Sequence, residues 1–210
     1  MKPGPRRSIS QADIVDTAYE IMEEKGFAAV SIRGVAAALG LTPTAMYTYF
    51  PSKNALLRAM VEQLLSTVDL DTASDPDIAW RDRVHALAAS LLARLAEHSG
   101  AIVLVTSGPL DGPHALGLNE VLVAGFVGEG MPQSDAARAA HAVRAHVLGV
   151  AAMAAAARAG SDEASDALWT DAAAFPLTRA TAEAVRADDG LAWGLDRLLD
   201  GLVRDGARVG

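Results

Sequence analysis

The chain has 210 residues, no cysteine and a formal net charge of −8 at pH 7. Without cysteine there is no disulfide scaffold, thiol nucleophile or Cys-based zinc site, and this length suits one small domain joined to a larger one. Apolar residues make up 51%, mainly Ala, Leu and Val, while aromatics are only 5%, a balance that favours helix over strand and predicts an all-α fold.

The charge is uneven. Residues 1–60 hold seven Lys and Arg against five Asp and Glu, a net +2, whereas the remainder nets −10, so the N-terminal segment is the candidate DNA-facing surface. Its leading residues include Arg6 and Arg7, which read either as an arm meeting phosphate or minor groove or as a solvated tail. Met1–Ser10 lacks the apolar core of a signal peptide, and no run of about 18 uninterrupted apolar residues occurs. The expectation is a soluble, cytoplasmic protein with no membrane partner.

The first predicted helix follows Ser10, which caps it with Asp13 three residues on, and ends at Lys25 before Gly26. Ile14, Ala18, Ile21 and Met22 form its buried stripe. A second helix opens at Ser31, sets Ile32, Val35, Ala36 and Leu39 on one face and stops at Gly40. Thr42 caps a third, with Pro43 at the first position, where a missing N–H costs nothing, and with Met46 and Phe50 facing inward. Two short helices joined by a Gly-containing turn outline a helix-turn-helix, with Thr42 to Phe50 as the recognition helix.

A fourth helix, Ser52 to Leu65, carries Leu56, Leu57, Met60, Val61 and Leu64 and reads as a connector. The acidic stretch Asp69–Asp77 lacks the glycine and terminal glutamate of an EF-hand and reads as a solvated linker. Ile78 to Glu97 is a long amphipathic helix with Trp80, Val84, Leu87, Leu91 and Leu95 inward, and the Gly and Pro residues of Ser107–Pro113 break the pattern. Further helices are predicted at His114–Val127, Ser134–Arg158, Pro176–Ala187 and Leu191–Val203, with an irregular stretch over 159–175. The alanine-rich helix offers Ala139, Ala142, Val143 and Leu148 as a helix–helix seam, within a subunit or between two. The last presents Leu195, Leu198, Leu199 and Leu202. The predicted domains are 1–53, with a connector at 52–68, and 69–210.

His141 and His146 lie five apart, whereas a helical metal pair needs three or four. Ser107, His98 and Asp111 make a triad only on paper, since no nucleophile-elbow sequence surrounds the serine. No catalytic residue, metal or cofactor is predicted.

Gly26-Phe27, Ser31-Ile32-Arg33-Gly34-Val35-Ala36, Leu39-Gly40-Leu41-Thr42, Met46-Tyr47-Thr48-Tyr49-Phe50 and Ser52-Lys53 resemble, without a gap, the DNA-binding pattern of TetR-family regulators. A second likeness, to the tetracycline-repressor type of C-terminal domain, spans Trp80 to Val203. It is carried by Trp80-Arg81, His146-Val147-Leu148-Gly149, Phe175-Pro176, Gly194-Leu195 and Gly201-Leu202. The resemblance implies an N-terminal three-helix DNA-binding bundle and a larger helical domain for ligand binding and dimerisation. It implies a repressor, not an enzyme, released from a palindromic operator by a small, largely hydrophobic effector. The alternatives are an all-helical carrier or enzyme reusing the fold, and a regulator that answers to no small molecule.

In such a protein the start of the recognition helix enters the major groove while the preceding helix crosses the backbone. Thr44, Ala45 and Tyr47 are assigned to base edges, and Thr42, Thr48, Tyr49 and Lys53 to phosphate. Ser31 caps the second helix and presents its N–H groups to a phosphate. Arg33 matches a family position that reaches guanine. For Thr42 a plain cap, for Tyr49 packing and for Lys53 solvation remain open. Pro43 stands where many relatives carry a long polar base-reading side chain, which shifts discrimination onto Arg33.

The resemblance also implies a homodimer through 134–158 and 191–203 and an effector pocket lined by Leu87, Leu91, Leu104, Ser107, Glu120, Val123, His146 and Met153. For each Leu and Met, plain core packing is the alternative. Tetracycline-type repressors hold magnesium through histidine and glutamate. Leu104 and Met153 match those positions here and give a hard cation no oxygen, so no magnesium–tetracycline site is expected.

Overall fold

A computed structural model of the chain describes residues 9–98, 100–159, 175–177, 180–181 and 190–206. Among them the elements are α1 (Gln11–Lys25), a 3₁₀ turn (Phe27–Ala29), α2 (Ile32–Ala38), α3 (Pro43–Tyr49), α4 (Lys53–Leu65), α5 (Asp71–Ser74), α6 (Trp80–Glu97), α7 (Ala101–Ser107), α8 (Pro113–Gly128), α9 (Gln133–Ala159) and α10 (Leu191–Gly206). No strand occurs among the described residues, so the all-α expectation holds. The chain forms two compact units, one running through Thr67 and including Glu97–Leu116, the other comprising Val68–Ala96 and the chain from Gly117 onward.

In the first unit the helix starts follow from local caps. Ser10 Oγ accepts from the Asp13 N–H at 3.1 Å and the Asp13 carboxylate accepts from the Ser10 N–H at 2.8 Å, a reciprocal capping box. Helix α1 buries Ile14, Val15, Ala18, Tyr19, Ile21 and Met22. After α2 the Gly40 N–H donates to the Ala37 carbonyl at 3.2 Å and the Leu41 N–H to that of Ala36 at 2.8 Å. This pair of bonds is a Schellman stop, and Gly40 sits at φ +65°, where a β-carbon is strained. Leu39, expected on the buried face, is half-buried because α2 has already ended at Ala38.

Met46 and Phe50 anchor α3, and Leu56, Leu57, Met60, Val61 and Leu64 of α4 complete this core. The buried Tyr19 hydroxyl donates to the Met60 carbonyl at 2.6 Å, and burial pushes the phenol's pKa up. The residue pattern predicts no helix between Glu97 and His114, yet α7 lies there. Ile102, Val103, Val105 and Thr106 are β-branched and weigh against helix; packing on α4, with Ala101, Leu104 and Val105 buried, outweighs that propensity.

Helix α8 begins after Gly112, whose carbonyl accepts from the Leu116 N–H. Glycine brings no capping side chain, and the cap comes from α4 instead. The Glu62 carboxylate accepts from the backbone N–H groups of His114 at 2.8 Å and Ala115 at 3.1 Å, and lies 3.0 Å from His114 Nδ1. A β-carbon at Gly112 would run into that carboxylate. Beside it, Arg58 makes a two-bond pair with Asp111, both bonds 2.6 Å.

In the second unit α5 occupies part of the expected solvated linker. The Asp69 carboxylate accepts from the N–H groups of Asp71 and Thr72 at 3.0 and 3.2 Å and from the Thr72 hydroxyl at 2.7 Å. The turn so capped buries Ala73. Helix α6 buries Val84, Leu87, Ala88, Leu91 and Leu95, and Trp80 tilts against Phe126 at 5.7 Å. Helix α9 buries a stripe of small residues, Ala136, Ala139, Ala140, Val143, Val147 and Ala151, and packs with α10, which buries Leu191, Leu195 and Leu199. Of the expected seam, Ala139 and Val143 are buried and Ala142 and Leu148 half-buried.

Although no uninterrupted apolar run exists, α9 is long and apolar enough to cross a membrane by length and composition, with mean hydropathy 1.3. Alanine supplies that apolarity, and His141, Arg144 and His146 interrupt it. The irregular stretch 160–174 and most of the helix predicted at Pro176–Ala187 lie outside the described residues.

Candidate nucleic-acid interface and ligand clefts

The ten residues assigned to DNA sit at the start of α2, along α3 and at the start of α4, on the first unit. Ser31 Oγ accepts from the Gly34 N–H at 3.0 Å and Thr42 Oγ1 from the Ala45 N–H at 3.1 Å, so each caps its helix. A hydroxyl that accepts in this way keeps its own O–H for donation, and both remain chemically able to meet a phosphate. Thr44, Tyr47 and Thr48 recur at helical spacing on an exposed face, opposite the buried Met46 and Phe50.

Tyr47 is 54% exposed. Pro43, at the first position of α3, is also exposed. The Thr48 hydroxyl donates to the Ala45 carbonyl at 2.7 Å, a bond it must give up to donate elsewhere. Ala45 and Tyr49 are half-buried, and the Tyr49 carbonyl accepts from Gln11 Nε2 at 2.9 Å, tying the end of α3 to α1. Arg33 is exposed and forms no ion pair among the described residues. Lys53 is exposed, with Nζ 5.6 Å from the centre of the Phe27 ring, a cation–π contact that steadies its stem.

Two narrow clefts open in the second unit, each with free room of about 10 Å³. Trp80, Arg83, Val84 and Val121 line one, Leu91, Leu118, Arg144 and Val147 the other, and Leu87 and Leu122 line both. Of the eight predicted lining residues, Leu87 and Leu91 do so. Val123 and His146 are half-buried and line neither cleft; His146 Nε2 lies 3.3 Å from the Leu191 carbonyl, and its ring fills the space a β-carbon on Gly194 would need. Glu120 is exposed and Met153 is 75% exposed. Leu104 and Ser107 belong to the first unit, the former fully buried and the latter exposed.

The residues at the magnesium-matching positions do not fit that ion, because neither Leu104 nor Met153 carries an oxygen ligand. The residues missed are the two cleft arginines. Arg83 had a signal: it falls three after Trp80 and four before Leu87, on the inward stripe of α6.

Residues 14–60 match the bacterial regulatory proteins of the tetR family, and residues 73–205 match the tetracyclin repressor-like C-terminal domain. An HTH-type transcriptional regulator of Saccharopolyspora erythraea is 30% identical over 141 residues, 67% of this chain and 59% of that protein. The chain spans about half the length of the curated relatives it matches. A possible TetR family transcriptional regulator from Streptomyces coelicolor A3(2) is similar in structure, with TM-score 0.79 and 29% identity over 92% of this chain and 98% of that one. BioQ of Mycobacterium smegmatis is similar at TM-score 0.71 and 28% identity, over 94% and 100% of the two chains. BioQ with its natural double-stranded DNA operator gives 0.66 and 25%, over 94% and 99%.

Proposed function

The chain belongs to the tetR family of bacterial regulatory proteins, and from that premise we propose that it is a DNA-binding transcriptional repressor, released from a palindromic operator by a small, largely apolar effector. The observation that carries the reading is the outer face of α3: Thr44, Tyr47 and Thr48 exposed together over a buried Met46 and Phe50, with Arg33 unpaired by any described acid. An exposed aromatic and an unspent guanidinium are what base-edge readout requires. The likeness to BioQ, whose structure holds its double-stranded DNA operator, supports the same class of partner. This role is regulatory rather than enzymatic, and its place is the cytoplasm.

A homodimer follows from the geometry of DNA, because one short helix reads too few base pairs and a two-fold dimer reads two half-sites. Helix α9 supports this: only 28% of its most apolar window is buried within one chain. Met153 and Trp193, the latter 63% exposed, are further apolar surface on α9 and α10.

Selection from a random duplex pool, followed by fluorescence anisotropy, tests the assignment. The wild type is expected to enrich a two-fold symmetric sequence. Arg33→Ala with Tyr47→Ala should lose about 100-fold in affinity for it with an unchanged melting temperature. A folded double variant that binds as tightly as the parent overturns the DNA-reading assignment.

A further inference from the structure

Two residues of α6 are engaged by α10, away from the clefts. Arg81 Nη2 pairs with Asp200 at 2.9 Å and His85 Nε2 lies 2.9 Å from Asp196, so two acids one turn apart on α10 are taken by two residues four apart on α6. Arg83 falls between them in sequence and therefore points to the other side of the helix, into the cleft walled by Trp80, Val84, Leu87, Val121 and Leu122. Its Nε is buried and has no hydrogen-bond partner among the described residues. Buried donors are nearly always satisfied, and a ligand entering the cleft can supply the acceptor that Nε lacks. A guanidinium presents planar N–H pairs that match a carboxylate two bonds at a time.

Apart from Arg83 in one cleft and Arg144 in the other the walls are apolar, and the free room in each is narrow, about 10 Å³. Leu87 and Leu122 line both, and turning these side chains aside opens the space that a ligand's body needs. We propose that Arg83 selects the effector by its carboxylate: the ligand is an apolar carboxylic acid whose acid group pairs with Arg83 and whose hydrocarbon body lies past Leu87 and Leu122. The proposal rests on reading the second unit as the effector domain.

The experiment compares naphthoic, phenylbutyric and decanoic acids with their uncharged primary amides by thermal shift and calorimetry, on wild type, Arg83→Met and, as a charge-loss control outside the cleft, Arg81→Gln. At least one acid is expected to bind wild type and Arg81→Gln at least tenfold more tightly than its amide, and Arg83→Met to erase that preference. Without any ligand, Arg83→Met should melt at or above the wild-type temperature, because it removes a buried orphan donor. A lower melting temperature, equal binding of acids and amides, retained preference in Arg83→Met, or no acid bound at all overturns the proposal. Operator binding measured on the same samples separates the two readings. Neutral ligands that release DNA leave the repressor standing without the Arg83 selectivity, whereas Arg83-dependent acid binding in a protein that selects no DNA leaves the selectivity standing without the repressor.

Discussion

Replacing Glu62 by alanine removes the cap of α8 without touching α8. The carboxylate takes two backbone N–H groups at 2.8 and 3.1 Å and sits 3.0 Å from His114 Nδ1, on a side chain only 15% exposed. Loss of a capping side chain costs about 0.5–2 kcal/mol, and loss of a charge at a partly buried helix N-terminus costs up to about 2 kcal/mol more. Near-full engagement of both oxygens puts Glu62→Ala at about 2–3 kcal/mol by adding these contributions. At about 2–4 °C per kcal/mol for a chain of this size, melting should fall by about 4–12 °C.

Glu62→Gln keeps an accepting oxygen and loses the charge, so about half that loss is expected. Gly112→Ala displaces the carboxylate from the other side and should cost nearly as much as Glu62→Ala. The decisive assay is the double-mutant cycle read by thermal melting: because both changes break one contact, the double variant should be markedly less destabilised than the two singles added together. Strict additivity, or a Glu62→Ala protein melting within about 1 °C of wild type, would refute a remote cap.

Tyr19→Phe should cost about 0.5–1.5 kcal/mol in urea unfolding with an unchanged m-value, the ring staying tilted against His98 at 4.6 Å. The same variant has a pH signature. Burial raises the native phenol's pKa above its ordinary value of 10.0, so its share of stability is intact below that pH and lost as pH rises past it; Tyr19→Phe should flatten this alkaline decline. The Asp111 carboxyl is held below the ordinary range by its hydrogen bond from Arg58, so its contribution is present above that range and lost on acidification. Arg58→Gln should move the Asp111 titration, followed by carboxyl NMR, back toward 3.8. Lys53→Ala should weaken binding to all duplexes alike and reduce the slope of log affinity against log salt by about one.

What the sequence made legible was local. Ser10, Ser31, Thr42 and Ser52 each accept an N–H three residues ahead, a spacing visible in one dimension, and so the starts of α1 to α4 were readable. Glu62 caps a helix some fifty residues away, and nothing near Gly112 announces it. Helix α7 runs against its own propensities because α4 offers a surface to bury on. The stretch after Asp69 looked solvated by composition, but three bonds to one carboxylate wind it into a turn. Helical period puts Leu87 and Leu91 on an inward face, and likeness alone assigns them, with Glu120 and Met153, to a pocket; the latter two sit on the surface. Arg83 lies on the same inward stripe, where the helical period signals an apolar residue and arginine ordinarily belongs outside.

Helix α3 is seven residues long, too short to persist on its own in water. Its supports are all internal: the Thr42 cap, the Gly40 stop before it, the Gln11 bond to Tyr49, two buried anchors and a proline ring that fixes the first φ. The helix is therefore finished before any duplex arrives. Docking then carries almost no folding with it, and the heat-capacity change on association should track the surface and water displaced at the groove rather than the ordering of a segment.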